Sequence, residues 1–225
     1  MTALHAILRF IASVACVSGV LLLVDAGLTL AWQEPISALT AVRSQAVAEN
    51  QLEREMAAFE RAAARPRADS RALRDAAGRY RRRLRTGRAI SRISLPSLQR
   101  RYVVVEGTDT ASLRKGPGHY PETPLPGQGG TIGIAGHRTT YLAPFRTIDR
   151  LRRGQRVVVT MPYGRFTYRV RRTRIVRPTD VWVKQDVGYE QLILSACHPR
   201  YSAAQRIVVF ARLVGAAPPG KREQL

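Results

Sequence analysis

The chain has 225 residues, of which 45% are hydrophobic, enough for one packed domain with additional segments. The formal net charge is +21 and 34 of the 37 basic residues are arginine, a bias that fits a GC-rich genome or attraction to anionic lipid and cell-wall surfaces. The sequence has no zinc-finger spacing, no RNA-binding aromatic signature and no helix-turn-helix, so we expect no nucleic acid partner.

The first segment predicts a membrane anchor. Residues 10–32 form a mostly apolar run that is long enough to cross a bilayer as a helix. Trp32 suits the membrane interface. The absence of basic residues from 33 to 42 favours a cytoplasmic location for residues 1–9. A cleaved signal peptide is the alternative, but the run is longer than the usual apolar region of one, and no clear cleavage site precedes Trp32.

Residues 33–89 predict a helical and arginine-rich stalk. The stretch 34–64 has the composition of a helix, with an apolar stripe typical of local packing or a weak coiled coil, and Pro66 ends it; the stripe consists of Leu52, Met56 and Phe59. From 65 to 101, 13 arginines face only two aspartates. This charge predicts a solvated segment, and adhesion to lipid or wall phosphate is the functional alternative.

Residues 90–215 have the pattern of an all-β domain, in which short apolar runs alternate with turns rich in Gly and Pro. Helices are predicted at 109–115 and 144–151, and residues 216–225 form a polar tail. The predicted strands are 90–95, 102–106, 131–135, 156–161, 165–176, 192–196 and 206–214.

Three side chains at the ends of these strands suit acyl transfer on a cysteine. Cys197 and His137 each follow an apolar run, and Arg206 opens the next run nine residues after Cys197. A thiol is a nucleophile as thiolate, and an imidazole can act as its base or stabilise it as a cation. An arginine cannot act as a base, so Arg206 is expected to donate hydrogen bonds to an oxyanion or a substrate carbonyl.

Other polar residues near these runs have weaker signals. His198 adjoins Cys197, but neighbours on an extended chain point to opposite faces, so direct pairing with the thiol is not expected. His119 lies in a Gly/Pro loop, where it could line a cleft. Cys16 lies in the apolar segment, so no disulfide with Cys197 is expected. The histidines lack metal-ligand spacing, and we expect no metal or cofactor.

Two stretches carry a family resemblance: KGPGHYPETPLPGQGGTIGIAGHR and TIGIAGHRTTYLAPF. They are followed by a strand that ends in Cys197 and by Arg206. Together these features resemble the sortases of Gram-positive bacteria. The resemblance covers about residues 92–215 and is closest to the actinobacterial housekeeping type, class E. It implies a closed eight-stranded β-barrel with Cys197 as nucleophile, His137 as acid and base, and Arg206 as anchor of oxyanion and substrate. It also implies cleavage of an LPXTG-like or LAXTG-like sorting signal between Thr and Gly, and transfer to a peptidoglycan amine.

One stretch departs from the family pattern. Sortases commonly read Thr-Leu-x-Thr-Cys, whereas this chain has Ile193, Leu194, Ser195 and Ala196 before the cysteine. Ala196 has no hydroxyl to position substrate, and Ser195 is one position off and would point to the other face. We therefore expect the reaction class to hold, with an altered rate or substrate preference.

The resemblance gives further expectations for the substrate site. A tyrosine at the position of Tyr141 is associated in class E sortases with accepting Ala in the signal, which favours LAXTG. Tyr141, Ala196, Ser195 and His119 are thus the expected substrate-binding residues. The absence of an acidic cluster near the cleft loops argues against a calcium site.

The sequence therefore predicts a single-pass membrane protein with an extracellular catalytic domain. Its partners would be secreted proteins with sorting signals and a peptidoglycan precursor. The alternatives are a pilin-polymerising sortase, whose lid and C-terminal span are not seen, and a membrane-anchored wall-binding scaffold with impaired catalysis.

Overall fold

The computed structural model describes residues 2–31, 35–62 and 70–218, so Trp32, Pro66 and residues 219–225 of the predicted tail lie outside the described residues. The four helices of the described part are α1 (Thr2–Ala31), α2 (Pro35–Ala62), α3 (Ser70–Arg81) and α4 (Thr110–Leu113). Within α1, Ile7–Gly27 has a mean hydropathy of 2.4 and is long and apolar enough to cross a membrane. A signal sequence can have the same length and composition as such a span.

Short runs of mostly apolar residues form the strands, and period 2 places every second side chain on the inner face of the barrel. All seven predicted strands are present with ends within a few residues of the predicted ones. The strands are β1 (Ala89–Leu95), β2 (Arg100–Glu106), β3 (Gly118–His119), β4 (Thr131–Ala135), β5 (Arg156–Met161), β6 (Gly164–Val176), β7 (Gln191–His198) and β8 (Gln205–Ala217).

The eight strands form a closed barrel in the order β1-β2-β3-β4-β7-β8-β6-β5, with β5 paired to β1. The pairs β2/β3 and β4/β7 are parallel and the other six are antiparallel. Closure leaves no free sheet edge. The expected closed eight-stranded β-barrel is confirmed.

Inward side chains from every long strand fill the barrel. Large members of this core are Ile93, Ile134, Phe166, Tyr168 and Val209. A second, smaller cluster lies on the outside of β7 and β8 and consists of Val176, Ile193, Val208 and Phe210. The sheet therefore has a packed inner face everywhere and an apolar outer patch next to the end of β7.

Helix α2 packs along the outside of the barrel instead of forming a separate stalk. Leu52 is buried with Ala89 and Val103, and Phe59 enters the barrel core. The Gln45 amide accepts a hydrogen bond from Val103 N at 2.8 Å and donates to Val103 O and Lys115 O at 3.1 and 2.6 Å. The predicted apolar stripe on this helix is local packing against β1 and β2.

The expectation of a solvated segment after residue 65 is wrong for α3. Its apolar face, repeating at i, i+3, i+4 and i+7, is buried in the barrel core and consists of Leu73, Ala76, Ala77 and Tyr80. The Tyr80 hydroxyl donates to Ile90 O at 3.2 Å. Arg81 donates to Thr123 O at 2.9 Å and to Pro121 O at 3.1 Å. This arginine-rich helix therefore packs on the barrel. The predicted domain bounds stay a prediction.

The second predicted helix, 144–151, is also wrong in type. The structure has only a 3₁₀ turn there, Ile148–Arg150, because Phe145, Ile148 and Leu151 enter the core at a spacing of three. The helix predicted at 109–115 is present as the shorter α4. Asp109 caps it by accepting hydrogen bonds from Ser112 N at 3.0 Å and Ser112 Oγ at 2.6 Å.

Candidate active site

The end of β7 divides its side chains between the core and the outside of the barrel. Leu192, Leu194 and Ala196 belong to the inner core, whereas Ile193 belongs to the outer cluster. Because side chains alternate along a strand, Ser195 and Cys197 share the outer face with Ile193. Cys197 is a free thiol and is partly exposed. The strand thus presents this thiol at its end, beside an apolar patch.

Strand pairing relates the two other predicted residues to Cys197. Cys197 is paired directly with Arg206 across β7 and β8, and cross-strand pairs have their Cβ atoms about 5 Å apart on the same face. On the other side, Ala135 pairs with Ser195, and Gly136 N donates to Ser195 O at 3.0 Å. His137 and Cys197 are each two residues beyond this last pair, so the register of β4 and β7 directs both chains to the same end of the sheet.

The environment of His137 favours its neutral form. Its Nε2 is buried and has no hydrogen-bond partner among the residues that the structure describes. Burial lowers the pKa of this imidazole from its usual 6.5, and the nearby positive charge of Arg114 lowers it further. A neutral imidazole with an unused ring nitrogen can accept the proton of a thiol.

Arg206 is engaged with the loop before β8 in this structure. Its Nη1 donates to Ala203 O at 2.9 Å and to Gln205 O at 3.0 Å. The other guanidinium nitrogens take no part in these two bonds. Their N–H groups can donate to an anionic oxygen.

Comparison with protein families matches residues 93–214, more than half of the chain, to the sortase domain. The chain belongs to the sortase family. It is 34% identical over 133 residues to Sortase D of Bacillus subtilis, covering 57% of this chain and 66% of that protein. It is 27% identical over 151 residues to Sortase SrtE1 of Streptomyces coelicolor, covering 60% of this chain and 43% of that protein.

Solved structures agree with this assignment. Sortase E from Streptomyces avermitilis superposes with a TM-score of 0.55 at 36% identity, covering 60% of this chain and 93% of that structure. The expected resemblance to sortases is confirmed, and class E sortases are among the structural neighbours. The chain spans less than two thirds of the length of the two sequence relatives above.

The loop that follows His137 has a strained backbone and carries an aromatic side chain, Tyr141. Tyr141, Leu142 and Ala143 all have left-handed backbone angles, with φ of 49°, 65° and 39°, which L-residues adopt only at an energetic cost. The loop is held by Phe145 N donating to His137 O at 3.0 Å. It places the Tyr141 ring 5.2 Å from the His137 ring, and the role of Tyr141 in substrate binding stays a prediction.

Tyr120 is a site residue that sequence reasoning missed. Its hydroxyl lies 2.9 Å from Ser195 Oγ, on the face that Ser195 shares with Cys197. The ring fits against Gly133, where a Cβ would collide with it, and Lys184 Nζ lies 5.4 Å from the ring centroid. The available signal was the missing side chain at Gly133, in the middle of a strand, which often marks close approach of another group.

The structure corrects the expectation that the side chains of Ala196 and His119 face a substrate. Ala196 is 3% exposed and its methyl group packs in the barrel core, because the position before Cys197 faces inward. His119 is 2% exposed, with Nδ1 2.9 Å from Glu106 Oε2 and Nε2 3.1 Å from both Pro124 O and Thr123 Oγ1. His119 on β3 therefore connects β2 to the loop that follows β3, and its buried ring does not line a cleft.

Proposed function

We propose that this sortase is a membrane-anchored cysteine transpeptidase. It cleaves a C-terminal sorting signal between Thr and Gly and transfers the protein to a cell-wall peptidoglycan amine. The observation that carries the proposal is the direct pairing of Cys197 with Arg206 across β7 and β8, next to the end of β4, which His137 follows by two residues. The family assignment supports the same reaction class.

In the first half-reaction the neutral His137 takes the proton of the Cys197 thiol. The thiolate sulfur then bonds to the carbonyl carbon of the signal's threonine, and the oxygen becomes an oxyanion. Arg206 donates hydrogen bonds to this oxygen, an interaction whose loss typically costs about 2.7–4 kcal/mol of transition-state stabilisation. When the C–N bond breaks, the imidazolium gives this proton to the leaving glycine amine, and a thioester remains on Cys197.

In the second half-reaction an acceptor amine attacks the thioester carbonyl. His137 removes the proton of the attacking nitrogen, and the C–S bond breaks to give a new amide. The thiolate leaves and recovers the proton from the imidazolium. The proton that left with the glycine amine is thus replaced by one from the acceptor amine, and the enzyme ends the cycle in its starting protonation state.

The substrate preference is proposed as LAXTG over LPXTG. Two points support this choice: the Tyr141 ring is 5.2 Å from the His137 ring, and a tyrosine at this position is associated in class E sortases with accepting Ala. Ser195 and Tyr120 lie on the same outer face as Cys197 and are proposed to contact the signal.

The cellular setting follows from the first helix. The apolar span Ile7–Gly27 would hold the enzyme in the membrane with the barrel outside, where secreted substrates emerge. The excess of positive charge favours contact with anionic lipid or wall polymers there.

The proposal is tested with the full-length protein in detergent and fluorogenic LAXTG and LPXTG peptides, with and without triglycine or diaminopimelate as the amine. We expect cleavage, a transpeptidation product with the amine, and a mass adduct on Cys197. Cys197→Ala should abolish all three, whereas Cys16→Ala, which removes the other free thiol, should change none. Failure to turn over any sorting peptide, with no effect of Cys197→Ala, would refute the proposal and favour a wall-binding scaffold.

A further inference from the structure

Arg138, the residue after His137, is a buried charge next to the proposed nucleophile. Its side chain is only 4% exposed. A buried guanidinium is costly unless charged or polar groups surround it. Its partners therefore indicate what the residue does.

The guanidinium connects three segments at the end of the barrel. Nη2 lies 3.3 Å from Asp149 Oδ1, and Nη1 lies 2.8 Å from His198 Nδ1 and 3.4 Å from Cys197 O. Because an arginine can only donate, Nδ1 of His198 must be the acceptor, which requires an unprotonated Nδ1. Asp149 also lies 3.8 Å from Arg200 at the surface.

The contact with Cys197 O replaces a missing backbone hydrogen bond. Gly136 N donates to Ser195 O at 3.0 Å, as the last bond of the parallel pairing between β4 and β7. In a parallel pair the next bond would run from residue 138 to the carbonyl of residue 197. At this point the chain enters the loop toward Tyr141, and the Arg138 side chain supplies the donor that the backbone no longer provides.

We propose that Arg138 is a positioning residue for the proposed transpeptidase, an inference that rests on the function proposed above. By holding the Cys197 carbonyl and the His198 ring, it fixes the backbone of Cys197 so that the thiol stays on the outer face beside His137. Asp149 compensates the buried charge and orients the guanidinium from the other side.

The test compares Arg138→Met with Arg200→Met in the full-length protein carrying Cys16→Ala. Both arginines contact Asp149, but only Arg138 contacts Cys197 O, so Arg200→Met is a matched control. Arg138→Met should lower kcat by about tenfold to a hundredfold, as expected for loss of a hydrogen bond from a charged donor, with KM within about twofold. Arg138→Lys should recover part of the loss, and Arg200→Met should resemble the parent.

A second readout needs no sorting peptide. The rate of alkylation of Cys197 by iodoacetamide reports thiolate formation and access. We expect Arg138→Met to slow it by about fivefold or more, because the thiol loses its placement beside the base. If the parent turns over no peptide, the proposed function fails while this rate still tests the role of Arg138.

Folded Arg138→Met protein with parent-like kcat and alkylation rate would overturn the inference. If Arg138→Met does not fold, the decision passes to Asp149→Asn and His198→Ala, each of which releases one side of the guanidinium. At least one of these should lower kcat severalfold at unchanged KM. Parent-like kcat and alkylation rate in both would equally overturn it.

Discussion

Replacing Leu73 by alanine tests whether the arginine-rich helix α3 is part of the folded domain. Leu73 is 3% exposed in the barrel core. Truncating a buried leucine to alanine costs about 2–5 kcal/mol, because transfer free energy is lost and a cavity remains. For a protein of this size, 1 kcal/mol corresponds to about 2–4 °C in Tm, so Leu73→Ala should lower the Tm by about 4–20 °C.

The assay is thermal unfolding of the full-length protein, monitored by the fluorescence of Trp182. This ring stacks on Phe210 on the outside of the barrel, with 6.0 Å between the ring centroids. Arg74→Ala is the control, since Arg74 is the exposed neighbour on the same helix and its loss should cost less than about 0.5 kcal/mol. Equal Tm values for the two variants would show that α3 is a solvated stalk and that its burial contributes nothing to the barrel.

Two further outcomes follow from the contacts. Arg114→Gln removes a positive charge that lowers the pKa of His137, so the pKa of this imidazole should rise. The acidic limb of the plot of kcat/KM against pH should then move to higher pH. A limb that stays in place or moves to lower pH would contradict its assignment to His137. Gln45→Ala removes three hydrogen bonds between α2 and the barrel, and limited trypsin digestion should cut α2 faster than in the parent or in Ser44→Ala, whose hydroxyl bonds only within the helix. Equal digestion rates in all three proteins would mean that Gln45 does not secure α2.

The strands could be predicted because their signals are local. Short apolar runs between turns rich in Gly and Pro indicated seven strands, and the spacing of Cys197 and Arg206 at the ends of two of them indicated the pairing that the structure has. The two-residue strand β3 (Gly118–His119) was missed because it is too short to show a period. Its position depends on pairing with β2 and β4, which the local sequence does not encode.

Helix α3 was misjudged because charge concealed its apolar face. Only one leucine, two alanines and one tyrosine form that face, between arginines that remain exposed. Average composition predicts a solvated segment, whereas the spacing i, i+3, i+4, i+7 predicts an amphipathic helix. Here the spacing is the better guide, because long arginine side chains reach solvent from a helix whose other side is buried.

Strand direction also gives physical meaning to the altered ILSAC stretch. Ala196 faces the core, so its methyl group fills space among apolar side chains and cannot contact a substrate on the opposite face. Ser195 does share the outer face with Cys197, but its hydroxyl is already bonded to Tyr120. Under the proposed function, the sorting signal would therefore be selected by outer-face groups around the thiol, namely Tyr141 and the hydrogen-bonded pair of Ser195 and Tyr120. Specificity would then depend on the side chains that surround the strand ends, and a change at Ala196 would act only through packing of the core.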